Sequence, residues 1–432
     1  MWQQIIPKIL LAKQQYLKFI WPVFNGSLAD LFVYLKEFQH LKMRHQNPYF
    51  FILISLFIFS CEDPTMDFTS GSFYPVKPST GGNTTSPIDT IKDNSTGTIP
   101  TLPPEKQCWD STVTVELSTY YNNLFTRYGD GWTGADGTLS ILLPDKRRLW
   151  IFGDTFLGTV SSDRSRSGGR MYNNSIMIQN GSEMKTIIGG NGTITEAFAR
   201  PPESDWWYWP AHGQVNKDTL ELLFFAMRKN GSGAWAFEYA AVDLIKYTLP
   251  DLKKVSWERK INNMKINYGT SVLVDNDFIY LYGSEKIGLS KLFHVARCPK
   301  GSLSQTWSYS TTTGWSNDIS QAKGSLPDLS DQYSVIKRGN IYYLISQGNL
   351  FSKQIMRYTS SSPTGPFQKP LILYCTPERM ESIYTYNAFV HEGTGDPNTL
   401  LISYNINSFN FGDVFKNADN YRPKFITVKN WQ

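Results

Sequence analysis

From about residue 110 onward, apolar residues alternate with polar ones or run in short blocks broken by Gly, Asn, Asp and Pro. That period predicts strands, and no stretch there carries a convincing helical repeat. The first group comprises Gly137–Leu143, Arg148–Phe152 and Ser175–Gln179; the second Gly213–Val215, Leu220–Met227 and Trp235–Val242. The third holds Thr270–Val274, Phe278–Tyr282 and Lys291–Arg297, and the fourth Tyr333–Lys337, Ile341–Ser346 and Gln354–Thr359. Tyr386–His391 and Leu400–Asn405 form the fifth, around the turn EGTGDPN. Hairpin-centred groups recurring at this spacing are what a β-propeller needs, with a β-sandwich as the rival architecture. Each group opens on a polar or aromatic residue: Asp136, His212, Tyr268, Tyr333 and Tyr386. In a propeller these five converge at the mouth of one central funnel, which favours an all-β, five-bladed propeller over residues 108–432.

The chain before this region has a different pattern. Tyr49–Phe59, YFFILISLFIF, is an uncharged apolar run too short for an ordinary membrane-spanning helix, and it fits the core of a signal peptide. Ile58, Phe59, Ser60 and Cys61 follow the pattern of a bacterial lipobox, with Phe59 bulkier than usual at its place. Residues 43–61 are therefore expected to form a lipoprotein signal ending at a lipidated Cys61, with residues 1–42 an upstream extension. Residues 62–107 are rich in Ser, Thr, Pro, Gly and Asn and read as a flexible tether. The expected product is an exported monomer, anchored by lipid to the bacterial envelope, most naturally the outer membrane.

Composition sharpens the picture. Aromatic residues are 15% of the chain and charged ones 18%, a balance that suits strands and stacking surfaces. The net charge of +5 is scattered and forms no stripe that could follow a phosphate backbone, so nucleic acid is not an expected partner. The four cysteines, Cys61, Cys108, Cys298 and Cys375, show no CxxC spacing. If Cys61 takes a lipid, three remain, and no disulfide is assigned. The sequence has no phosphate loop, nucleophile elbow or HExxH run, and no cofactor or metal is expected.

Candidate chemistry concentrates in Gly131–Gly158, GWTGADGTLSILLPDKRRLWIFGDTFLG. Asp136 precedes one strand and Asp154 follows its partner, so an antiparallel return brings the two carboxylates to the same end. Paired carboxyls are the usual equipment for cleaving a glycosidic bond, one protonated and the other ionised. Which is acid and which is base stays open at this stage, and Asp136-Gly137 also has the look of a simple turn. Asp130, in YGDGW, is a third nearby carboxylate in a loop. The stretch Gly131–Gly158, together with Asn173-Asn174-Ser175, YNAFVH and LLISYNIN, resembles a group of five-bladed propeller proteins classed as domains of unknown function. Those with the GDTF signature are similar to the endo-D-arabinanase family, and the resemblance spans roughly Trp109 to Trp431.

That resemblance implies a glycoside hydrolase with Asp136 and Asp154 as its catalytic pair. Its substrate would be a poly- or oligosaccharide, with D-arabinan one candidate among furanosides and pyranosides. The expected sugar-binding residues around the funnel are Trp132, Asn174, His212, Tyr268, Tyr386 and Asn387. The run Trp206-Trp207-Tyr208-Trp209 can either stack on sugars or pack between blades. The competing functional class is a glycan-binding lipoprotein that captures oligosaccharides without cleaving them.

Overall fold

The computed structural model describes residues 108–432, apart from 130, 192–194, 234–235, 263–264, 289, 326–328, 350 and 379–381. The expected signal segment and tether, with Cys61, and also Asp130 lie outside the described residues. The described chain is a β-propeller. Its first sheet runs Leu139–Leu142, Arg148–Phe152, Ser175–Asn180 and Glu183–Ile187 from the axis outward. The second is Trp207–Asn216, Thr219–Lys229, Phe237–Thr248 and Lys254–Asn262. The third begins with Ile266–Asp275, Phe278–Ile287 and Ser290–Pro299, and the fourth is Leu329–Arg338, Ile341–Gly348, Gln354–Ser360 and Gln368–Cys375. The last comprises Ile383–His391, Leu400–Ser408 and Pro423–Lys429, with Thr114–Leu117 from the start of the described chain on its outer edge.

The innermost strands touch in cyclic order, Leu139–Leu142 to Trp207–Asn216 to Ile266–Asp275 to Leu329–Arg338 to Ile383–His391 and back. Between each sheet and the next lies an apolar cluster. Leu149 and Ile151 meet Leu222 and Phe224; Leu223 and Phe225 meet Leu281 and Ala296. Tyr282 and Val295 meet Leu344; Ile345 and Ile355 meet Ile402 and Ile426; Leu401 and Phe425 meet Trp150 and Phe152. Successive residues of a strand thus point into different clusters, which is why Leu222–Met227 is apolar throughout and does not alternate.

The structure differs from the sequence reading in three places. Two short helices, Thr119–Phe125 and Gly412–Lys416, stand where no helix was expected. Helices this short are fixed by packing, as Phe125 shows by stacking on Phe425 and meeting Trp132 and Trp150 edge-on. The second sheet's inner strand begins at Trp207, so the aromatic run is strand. A disulfide also joins Cys108 to Cys375, leaving Cys298 free and buried. Odd cysteine arithmetic forbids complete pairing but not one bridge, and the two partners are brought together only by the ring.

The bridge ties the residues just before Thr114–Leu117 to the outer strand of the fourth sheet, next to the seam where that edge strand completes the last sheet. Cys108→Ser, or reduction of the wild type, is expected to lower stability by about 2–4 kcal/mol. Denaturant unfolding with and without reductant checks this, and identical midpoints would show that the bridge adds nothing.

Candidate active site

At one end of the propeller every inner strand loses its ladder. The register shifts between Pro210 and Gly213, Tyr268 and Ser271, Leu329 and Tyr333, and Tyr386 and Phe389. In the first sheet the corresponding break separates Trp132–Ala135 from Leu139–Leu142. Side-chain bonds link several of these breaks: Gln332 Nε2 donates to Thr138 O at 3.1 Å, Ser330 Oγ to Asn387 Oδ1 at 3.1 Å, and Thr270 Oγ1 to Asp331 O at 3.1 Å. Bulges of this kind bend a strand and re-aim its side chains, here around the funnel mouth.

Asp136 occupies the first of these breaks. Ala135 pairs with Thr155 and Leu139 with Ile151 in one continuous register, so Asp136 falls directly opposite Asp154. The main chains stay bonded across the break, Asp136 N–H to Asp154 O at 3.3 Å and Gly153 N–H to Asp136 O at 2.9 Å. Gly137 takes φ 61°, a local bend, but the continuous register shows that the chain does not reverse at Asp136-Gly137. The neighbouring Gly153 serves a different purpose: a Cβ there would lie 2.6 Å from Asp136 Oδ1, so only glycine lets the carboxylate lie over the opposing strand.

The two carboxyls have different surroundings. Asp136 Oδ2 accepts the Tyr386 hydroxyl at 2.6 Å. Asp154 Oδ1 accepts the Trp209 indole N–H at 3.0 Å and the Asn173 amide at 3.3 Å. Both aspartates are recessed yet keep part of their surface open. Desolvation pushes Asp154 up, the charge of Asp136 adds to it, and the two donors only partly offset them, leaving its pKa at about 7. Asp136 is also raised by desolvation, but hydrogen bonds from Tyr386 and the buried Tyr421 pull the other way. The protons of such a pair belong to both carboxyls; Asp154 is the one favoured to hold a proton near neutrality.

Three of the expected sugar-binding residues are placed elsewhere. Trp132 has no exposed surface and packs against Phe125 and Phe152, because its strand faces the last sheet. Asn174 is buried with its amide spent on the backbone, donating to Ala199 O and Tyr208 O and accepting from Ala199 N–H. Tyr268 is also buried, against Tyr309 and His294. His212 lines the axial channel as a strut between sheets: Nδ1 accepts from Val272 N–H at 3.2 Å, and Nε2 faces Ser140 O at 3.3 Å. Desolvation takes its pKa down to about 4, so it is neutral at pH 7.

Tyr386 and Asn387 do lie at the mouth. Asn387 adopts φ 56° in the break and is held by Ser330. Sequence reasoning assigns no role to Asn173, although it is the first residue of the Asn173-Asn174-Ser175 motif, nor to Tyr421, which carries no local signal. Trp209 was legible only as one of an aromatic run. Its neighbours Trp207 and Phe237 meet it edge-on at 6.3 and 5.0 Å, forming an aromatic wall beside Asp154.

Residues 118–431 match the family described as "Domain of unknown function (DUF5005)", and the chain belongs to that family. No curated protein matches it by sequence. The structure is similar to that of a candidate hydrolase from Bacteroides ovatus ATCC 8483, at 26% identity over 76% of this chain and 93% of that one, with a TM-score of 0.67. A GH43_1 enzyme from Xanthomonas citri complexed with xylotriose is similar at 15% identity over 73% of this chain and 90% of that one, TM-score 0.42. An α-L-arabinofuranosidase from Podospora anserina in complex with cellotriose is similar at 12% identity over 70% and 92%, TM-score 0.39.

A carboxyl whose folded pKa is raised binds more protons in the folded chain than in the unfolded one. Its stabilising contribution is full below the unfolded value of about 4 and is lost as pH rises through about 7. Asp154→Asn, which cannot ionise, is therefore expected to melt above the wild type at about pH 8, by an equivalent of about 1–2 kcal/mol, and to lose that advantage by about pH 4. Thermal scans across that range test it; a pH-independent difference would show that Asp154 is not strained by ionisation.

Proposed function

We propose that this member of the DUF5005 family is a glycoside hydrolase in which Asp154 is the general acid and Asp136 the ionised carboxylate. The observation that carries the reading is the in-register opposition of two carboxyls whose surroundings separate their proton affinities. Asp154, favoured to be protonated near pH 7, gives its proton to the leaving glycosidic oxygen. Asp136, its charge supported by the Tyr386 hydroxyl, acts at the anomeric carbon as nucleophile or through a water that it activates. The likeness to a candidate hydrolase agrees with this reading, and the aromatic wall at Trp209 offers a face suited to the C–H surface of a sugar. The family resemblance in the sequence makes D-arabinan one candidate substrate among furanosides and pyranosides.

The reading extends to location. A signal-like segment ending in Cys61 and a disulfide in the fold are both at home in an exported protein, held by lipid at the envelope and acting as a monomer. Metabolic labelling with a fatty acid should mark the wild type and not Cys61→Ala; equal labelling of both would remove the anchor.

Reducing-sugar release over a panel of polysaccharides that includes D-arabinan tests the catalytic reading. Asp136→Asn and Asp154→Asn, each folded by circular dichroism, should lose about 10³-fold in kcat/KM on whichever glycan the wild type cleaves. Wild-type kcat/KM should fall as pH rises through about 7, where Asp154 gives up its proton. Undiminished activity in both variants would overturn the assignment, and binding of intact glycan with no fragments released would instead make the protein a capture lipoprotein.

A further inference from the structure

A second aromatic group is linked to the acid pair through Tyr386 on Asp136, whereas Trp209 bonds Asp154. Phe351, Tyr384 and Phe409 come from the turn of the fourth sheet, the inner strand of the last sheet and the loop after its second strand. Tyr384 lies 4.3 Å from Phe351 and 4.4 Å from Phe409 between ring centroids, and the two phenylalanine rings stand at 82° to each other. Tyr384 is buried, whereas Phe351 and Phe409 are 41% and 58% exposed. The result is a corner: Tyr384 and Phe409 form a tilted floor and Phe351 an upright wall. Tyr386 joins this corner to the catalytic candidates, its ring 5.4 Å from Tyr384 and its hydroxyl on Asp136.

Exposed rings are common, but these are held in place. Phe351 has φ 60°, a left-handed backbone that a bulky side chain rarely adopts and that persists only where surroundings impose it. The fully buried Gln347 imposes it from below, donating to Ser352 O at 2.6 Å and to Thr385 Oγ1 at 2.9 Å, while Thr376 N–H donates to Lys353 O. Phe409 is held likewise: its N–H donates to Ser382 O, and Asp413 Oδ2 accepts from both Ser382 Oγ and Ser408 Oγ. Two separately braced turns thus present phenyl faces at fixed angles to solvent.

We infer that Phe351, Tyr384 and Phe409 form a stacking subsite for a sugar residue of the glycan chain flanking the bond held at Asp136 and Asp154. The reading rests on the proposed glycoside chemistry for its ligand class. Flat apolar faces suit the C–H face of a sugar, and Asn407, which donates to Tyr386 Oη at 3.4 Å, supplies a polar group next to the tyrosine that joins the corner to Asp136. A ligand that reaches both this corner and the acid pair must contain more than one sugar unit, so the site selects oligomers and polymers over single-residue glycosides.

Calorimetric titration with arabino-, xylo- and galacto-oligosaccharides of increasing length tests this in the intact folded protein. For any oligomer the wild type binds, Phe351→Ala and Phe409→Ala should each bind about tenfold more weakly, and Phe351→Tyr should restore affinity. Phe409 is largely exposed, so its variant reports on binding even if Phe351→Ala unfolds. Unchanged affinity in Phe409→Ala and in a folded Phe351→Ala would overturn the subsite, as would a wild type that binds no oligomer. Turnover with unaltered affinity would sink the subsite and leave the hydrolase standing; ring-dependent binding without turnover would sink the hydrolase and leave the subsite.

Discussion

A sheet whose two faces are both apolar has to be covered on both sides, and in this protein only closing the ring provides the cover. The apolar clusters between consecutive sheets, the last of which joins Leu401 and Phe425 to Trp150, are one requirement met repeatedly. The edge strand Thr114–Leu117 and the Cys108–Cys375 bridge serve the same closure from the chain's early residues. With every sheet wedged between neighbours, the inner strands meet around the axis and have no freedom to reposition the side chains they carry.

That rigidity makes the mouth usable for chemistry. Where the inner strands converge the ladders break, and some freed residues, such as His212, bond to neighbouring strands while others, such as Asn387, lie at the opening. In the first sheet the break preserves register, so Asp136 and Asp154 remain cross-strand partners although neither lies in a strand. Like charges brought together in a recessed site resist double ionisation, and the phenol and indole donors decide which group keeps the proton. Tyr386 supports the charge on Asp136, while Trp209 and Asn173 only moderate the rise at Asp154. A site that separates two aspartates in this way favours acid and base roles over a purely structural one.

The aromatic content divides between two tasks that composition does not distinguish. Trp132, Trp150 and Phe425 are interior packing, although Trp132 adjoins the richest motif. Phe351 and Phe409, from unremarkable turns, are among the rings left facing water. The difference lies in which surface the local strand presents and in whether buried groups such as Gln347 and Asp413 brace the turn.

Period-two patterning, glycines at turns and strand-length apolar blocks determined the all-β propeller, because those signals depend on neighbours a few residues away. The same local logic made the meeting of Asp136 and Asp154 legible, since a hairpin return needs only the intervening strand lengths. Tertiary structure alone decided that Asn174 turns its amide to the backbone, that His212 spans sheets as a neutral strut, and that Tyr421 stands beside Asp136. It also decided that Cys108 meets Cys375 across 267 residues. Each of these depends on partners from distant sheets, which become neighbours only when the ring closes and water is excluded from between the blades.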